Sequence, residues 1–343
     1  MTNGGYYPST ATYGCEATLG PSGVSTRECQ TDGSWSGGAP LCLSGAGGDR
    51  WRFTRSVAIT GSSSAQAGYP VPIEVDTGQA IGAGKMQPSA ADLRIASSRG
   101  EELPYWIESG LGTSVTRIWV RLDSIPTTGT SVSLYYGNPA ALAGGAFVNS
   151  GRDTFELFDD FGGVTVDAAR WSIGTRYGLP AVQTGALRFA AVGTGLQAQE
   201  VQTANSFQGG HVADFAMSMS LAPDPSFRSQ QFTVNIGAPA TLASSPYARV
   251  ISGWWSNGQR DCPAVNGEYV GSVVIDAAAS TLTLQLGSVV CATVAVSTSA
   301  PYVINLTLEG GNGSGHVDLS DFRLRPYVTP EPTAGAPQAE SGT

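Results

Sequence analysis

The stretch Ser252 to Cys262, S-G-W-W-S-N-G-Q-R-D-C, concentrates the groups that a polyol ligand needs. Sugars present apolar C–H faces that stack on flat rings. Their hydroxyls exchange hydrogen bonds with amides, guanidinium groups and carboxylates. Trp254, Trp255, Asn257, Arg260 and Asp261 supply both kinds of group beside a cysteine that anchors the loop. Adjacent residues of a strand face opposite ways, so at most one ring belongs to such a site. The competing reading places one ring in a core and the other over a sheet edge.

Other reactive types are sparse. His211 and His316 are the only histidines, and neither neighbours a nucleophile elbow. Neither Cys-x-x-Cys nor His-x-x-x-His occurs as a zinc spacing. Gly82-Ala83-Gly84-Lys85 is a poor phosphate loop, lacking the following Ser or Thr and a correctly placed first glycine. A turn between two strands accounts for it. Asn305-Leu306-Thr307 and Asn312-Gly313-Ser314 match the glycosylation acceptor pattern without further support.

Cysteines supply the clearest signal. Cys15, Cys29 and Cys42, with Trp35 between them, sit in a segment too small to bury a core, so it needs staples. Disulfides persist in oxidising compartments, which places the chain outside the cytosol. Tyr13 and Cys15, Arg27 and Cys29, Asp32 to Ser36, and Pro40 with Cys42 resemble the second half of a sushi (complement-control-protein) module. The resemblance implies that Cys15 bonds Cys42, and it leaves Cys29 with no disulfide mate. Removal of residues upstream of Met1, a thiol, or bonding between chains would each account for that. A bridge between positions 27 residues apart stabilises the fold by about 3 to 4 kcal/mol in the chain-entropy model. Cys262 and Cys291 are expected to bond to each other within a later domain.

Composition agrees with turn-rich β structure. Charged residues make up 13% of 343 residues, with 45 glycines and 20 prolines. Net charge is -9 and there is no basic run, which argues against nucleic acid as a partner. Lys85 is the sole lysine among 18 cationic residues, which reads as the codon bias of a GC-rich bacterium. No apolar run is long enough to span a membrane. The first residues are no signal peptide, so the chain reads as a mature form or an excised piece.

Beyond the joint S-G-A-G-G-D, short alternating runs follow: W-R-F-T-R-S-V-A-I-T, V-P-I-E-V-D, D-L-R-I-A-S, T-R-I-W-V-R-L and S-V-S-L-Y-Y. Each reads as a strand of a sandwich. Trp51 and Arg55, Gly84 to Met86, Asp92 to Ile95, Leu103 to Glu108 and Tyr135 to Pro139 resemble a bacterial extracellular domain of unknown function, family twenty-three forty-one. That resemblance spans about residues 50 to 150 and implies no catalytic residues. It implies a lectin-like jelly roll directly after it.

From F-E-L-F-D-D-F at Phe155 to Phe161, followed by Trp171, the chain resembles a concanavalin-A-like (laminin-G-like) jelly roll. H-V-D-L-S-D-F-R-L-R-P-Y, from His316, resembles its last strand, which returns beside the first. The resemblance makes Asp159, Asp160, Asp318 and Asp321 candidates for calcium, since carboxylates of adjacent strands converge on that ion; edge charges and turn bonds are the other reading. Laminarinase-like glycosidases of this fold carry E-x-D-x-x-E on one strand, with paired carboxylates for hydrolysis. Here Glu74-Val75-Asp76 is followed by Gln79, in the wrong domain. Trp51, Trp106, Trp119 and Trp171 read as core residues.

These readings predict an all-β chain: a partial sushi-like module at 1–44, a β-sandwich at 45–152, a concanavalin-A-like jelly roll at 153–328 and a disordered Pro/Gly-rich tail at 329–343. They predict no catalysis, no cofactor beyond structural calcium and no nucleic-acid partner. The expected role is adhesion at a bacterial surface, with carbohydrate bound through the jelly roll. A structural stalk or fibre subunit contacting other proteins, and an accessory region of a larger glycan-degrading enzyme, stand as alternatives.

Overall fold

The computed structural model describes residues 7–16, 19–22, 24–36, 39–44, 50–142, 148–174, 180–190, 197–223, 230–237, 247–252, 261–263, 266–310 and 313–342. At 197, 198, 222, 223, 230, 231, 235, 247–252, 261–263, 309, 310, 313 and 314 the backbone alone is described. The chain divides into two compact units, Met1–Thr154 with Pro330–Thr343, and Phe155–Thr329. The second unit is thus inserted, in sequence, between two pieces of the first. An insertion of this kind needs its ends to lie close together. The jelly roll meets that need, because its first strand Leu157–Asp159 pairs antiparallel with its last, Gly313–Pro326.

In the first unit, the cysteine-rich segment forms two small ladders, Thr10–Thr12 with Thr26–Glu28 and Leu19–Pro21 with Cys42–Ser44. The Cys15–Cys42 disulfide is present. Cys29 is a buried thiol. Leu43 is buried against Trp51 and Ala141, which joins this segment to the sandwich that follows. That sandwich has one sheet in the order Ser341–Gly342, Phe53–Ile59, Thr130–Tyr136 and Arg94–Ser97. Its other sheet runs Gln66–Val75, Thr116–Ile125 and Tyr105–Ser109. All five alternating runs are strands. Buried Val132, Leu134 and Tyr136 alternate with half-buried neighbours, the pattern of a sheet with one face on a core.

The motifs that carry the domain-of-unknown-function resemblance form one internal network. Trp51 Nε1 donates to Asp92 O at 2.6 Å. The Asp92 carboxylate accepts from Gln87 N at 2.9 Å and from Gly137 N at 2.8 Å. Arg94 is fully buried and donates to the carbonyls of Ser44, Ala91, Leu93 and Leu142. Its guanidinium lies 5.3 Å from the Trp51 ring centre. Gly137 has φ +88°, and a Cβ there would come within 2.5 Å of the Phe53 ring, so the turn accepts glycine alone. Here the motif residues tie loops together.

Three expectations are corrected. Residues 330–342 are ordered: Ser341 and Gly342 pair with Thr54 and Phe53, and Gly335 N and Gln338 N donate to Ala58 O and Ser56 O. Their Pro/Gly-rich composition argued for disorder, yet backbone groups on a sheet edge need no side chains to bond. Gly82 to Lys85 is no strand-to-strand turn, since it ends the six-residue helix Thr77–Gly82, which Asp76 caps by accepting from Gln79 N at 2.8 Å. Trp106 is half-buried, opposite Trp119 in the register, while Trp51, Trp119 and Trp171 are buried.

In the second unit, an eight-stranded sheet runs Ala181–Gln183, Ala186–Ala190, Gly313–Pro326, His211–Pro223, Gly267–Asp276, Thr281–Leu286 and Val289–Ala295, with Leu157–Asp159 also on Gly313–Pro326. A six-stranded sheet runs Trp171–Gly174, Gln197–Thr203, Val303–Gly310, Gln230–Gly237, Tyr247–Ser252 and Asp261–Pro263. Their inner faces meet in one core that includes Trp171, Phe189, Phe232, Leu306 and Phe322. No helix among the described residues is long and apolar enough to cross a membrane.

Candidate functional site

Strand alternation sends Val201, Phe232, Val234, Ile304, Leu306 and Leu308 into that core. Their chain neighbours therefore occupy the outer face of the six-stranded sheet. The register aligns those neighbours in two rows across the strands. One row runs Gly174, Glu200, Thr307, Thr233, Arg249 and Asp261. The other runs Ser172, Gln202, Asn305, Asn235 and Tyr247. Every residue but one carries a polar group. The exception, Gly174, leaves room for Glu200: a Cβ there would lie 3.3 Å from the Glu200 side chain.

Depth changes along the rows. Ser172 is exposed, Glu200 and Gln202 are half-buried, and Asn305, Thr307 and Thr233 are buried. Asn305 Nδ2 donates to Glu200 Oε1 at 2.8 Å, and Thr307 Oγ1 donates to Asn305 Oδ1 at 3.2 Å. This chain of bonds orients one carboxylate. Gln202 Oε1 is shielded from solvent and receives no hydrogen bond among the described residues. A buried acceptor left so costs about 1 to 3 kcal/mol, which a hydroxyl donor at this place would recover. Burial of Asn305 in the strand, with its amide nitrogen already donating, also removes it as a glycosylation acceptor.

The residues singled out from sequence fall unevenly. Asp261 takes a place on the first row by backbone register. Trp254, Trp255, Asn257 and Arg260 lie outside the described residues. Cys291 is disulfide-bonded, and the side chain of Cys262, its expected mate, lies outside them too. The calcium arrangement is not met among the described residues, where no three acidic, His or Cys side chains converge. Asp159 accepts from Phe161 N and from Trp171 Nε1. Asp160 accepts from Gly162 N, and Asp318 holds Arg188 through both oxygens at 2.7 and 2.6 Å. Asp321 faces Arg323 at 3.9 Å. Arginines, an indole and backbone N–H groups thus engage these carboxylates.

Glu74 pairs with Arg117 on the first sandwich, and the chain leaves its strand at Val75, so no carboxylate triplet forms there. His211 Nδ1 lies 2.7 Å from Tyr302 Oη and its Nε2 lies 2.9 Å from Glu156 Oε2. Burial, with the nearby Glu156 charge, pushes the Tyr302 phenol above its usual range. The polar rows were missed in sequence because Q-A-Q-E-V-Q-T and V-I-N-L-T-L each look like an ordinary strand. Their alignment is set by pairing between segments about a hundred residues apart.

Fold and face together define an all-β protein whose second unit is a two-sheet jelly roll. Family models match the chain in two places: residues 2–42 match the sushi repeat (SCR repeat), and residues 89–174 match a domain of unknown function, DUF2341. The second match begins later than the sequence resemblance and runs into the jelly roll. No curated protein matches. Among solved structures, the Emp47p carbohydrate recognition domain is 13% identical, with a TM-score of 0.36, covering 50% of this chain and 94% of its own. A glycosyl hydrolase family protein from Mycobacterium fortuitum is 11% identical, with a TM-score of 0.36, covering 50% and 99%. The Bacillus licheniformis beta-glucanase is 10% identical, with a TM-score of 0.36, covering 50% and 98%. These likenesses concern the fold. The expectation that the chain is no enzyme is withdrawn on this finding, because the similar structures include hydrolases as well as a recognition domain.

Proposed function

We propose that this chain is an extracellular, carbohydrate-directed protein of a bacterial surface whose jelly roll takes a glycan on the outer face of its six-stranded sheet. One observation carries the reading: a shielded Gln202 acceptor with no hydrogen bond among the described residues, beside the oriented Glu200–Asn305–Thr307 series. Acceptor and donor groups at strand spacing suit the alternating hydroxyls of a sugar chain. The Cys15–Cys42 disulfide supports action outside the cytosol.

A glycan array on the whole chain, followed by titration of the best hit, tests this. Glu200→Ala and Gln202→Ala are expected to weaken binding about tenfold or more each, as loss of a bond to a charged or shielded partner does. Unchanged affinity in both variants, or no hit from any glycan, would refute the assignment. Mass analysis of the sugars after incubation reports cleavage in the same experiment.

A further inference from the structure

The segment from Pro330 to Gly342 is attached to the first sandwich in an unusual way. Thr60 N donates to Thr333 O, Gly335 N to Ala58 O and Gln338 N to Ser56 O, each at 2.8 Å. The segment has no large apolar side chain, and Pro332 alone of its residues is buried. Its side chains anchor it at Thr333, whose Oγ1 lies 2.9 Å from Thr60 Oγ1, and through two carboxylates near its two ends. Glu331 Oε1 accepts from Tyr69 Oη at 2.7 Å, and Glu340 Oε2 accepts from Tyr136 Oη at 2.7 Å. Both tyrosines are buried in the sandwich. Glu340 Oε1 also accepts from Lys85 Nζ, which stands over the Phe53 ring.

We propose that residues 330–342 are a strap over the edge of strand Phe53–Ile59 that opens in acid, with Glu340 as its clasp. The groups facing that clasp are Lys85 after the helix, Tyr136 on the central strand and Arg55 on the covered strand. Protonation of Glu340 removes its attraction to both cations. The freed strand edge then presents unpaired backbone groups, a surface that pairs with extended chains.

The sign follows from the surroundings. Burial acts to raise the Glu340 pKa, but bonds from Lys85 and Tyr136, with the charges of Lys85 and Arg55, outweigh it and leave the carboxyl below its ordinary 4.5. A carboxyl depressed by folding contributes its stabilisation above the unfolded value and loses it as pH falls through the folded one. Opening therefore belongs below pH 4.5.

Lys85 is the sole lysine, so amine labelling read by peptide mass reports on the clasp alone. Glu340→Gln in the whole chain at pH 7 is expected to raise Lys85 labelling. It should also speed hydrogen exchange at Thr60, Gly335 and Gln338 by about tenfold, the effect of losing one charge-assisted bond. Leu134 and Val132 should keep their protection. Lys85→Met breaks the clasp from the other side and should speed the same three amides. In the unaltered chain, exchange corrected for intrinsic rate and followed as pH falls from 7 should show the opening only below pH 4.5, and Glu340→Gln should flatten that profile. Protection of the three amides unchanged in both variants would overturn the proposal, as would equal loss of protection throughout the sandwich.

Discussion

Arg94 illustrates how one side chain organises several loops. Its guanidinium has no exposure and serves four carbonyls, from Ser44, Ala91, Leu93 and Leu142. An arginine suits this place because its donors form a rigid planar fork, which a lysine lacks. Arg94→Met leaves those carbonyls unserved and removes the ion pair to Glu102, whose carboxylate keeps its bonds from Ser44. It is expected to lower the stability of the first unit by about 3 to 5 kcal/mol, read from urea unfolding, and Arg94→Lys should not restore it. The Asp-Leu-Arg-Ile motif was visible in sequence, but its work was not. Nothing in the order of residues says that Arg94 reaches Ser44, some fifty positions upstream.

Among the elements, the last jelly-roll strand, Gly313–Pro326, is the most heavily used. It pairs with Leu157–Asp159 and Ala186–Ala190 on one side and with His211–Pro223 on the other. Phe322 on this strand has no exposure and meets Trp171 edge-on, with ring centres 5.1 Å apart. Phe322→Ala should destabilise the jelly roll by about 3 to 5 kcal/mol through the cavity left at the first–last strand junction. Calorimetry should show its transition shifted down, with that of the first sandwich in place. The return of this strand beside the first was legible from its resemblance. The helix Thr77–Gly82 was not, because six residues give too little periodicity to distinguish it from a turn.

Across the whole molecule, the buried phenols set a shared alkaline limit. Burial raises the pKa of Tyr105 and Tyr136 in the first unit and of Tyr302 in the second. An acid whose folded pKa lies above its unfolded value keeps its full contribution below the unfolded value, about 10 for a phenol. Above that value the unfolded chain ionises first, and stability falls with each further rise of pH. Phenolate absorbance during alkaline titration should therefore show Tyr105, Tyr136 and Tyr302 ionising together with unfolding. Smooth titration of all of them ahead of any loss of circular dichroism would contradict this. The division into an interrupted first unit and an inserted second one also emerges at this level. Composition marked residues 329–343 as a linker, whereas the fold uses 330–342 as part of the first unit.

What could be read along the chain was whatever depends on neighbours in sequence. Alternation marked the strands, and cysteine spacing with turn residues marked the stapled N-terminal piece. Three-dimensional folding settled which outward residues align, where Arg94 and Asp92 find their partners, and that the tail closes a sheet edge. Those outcomes rest on pairing between distant segments. A strand's own residues fix its two faces through the two-residue repeat, but the stranger lying opposite is chosen by the packing of the entire core.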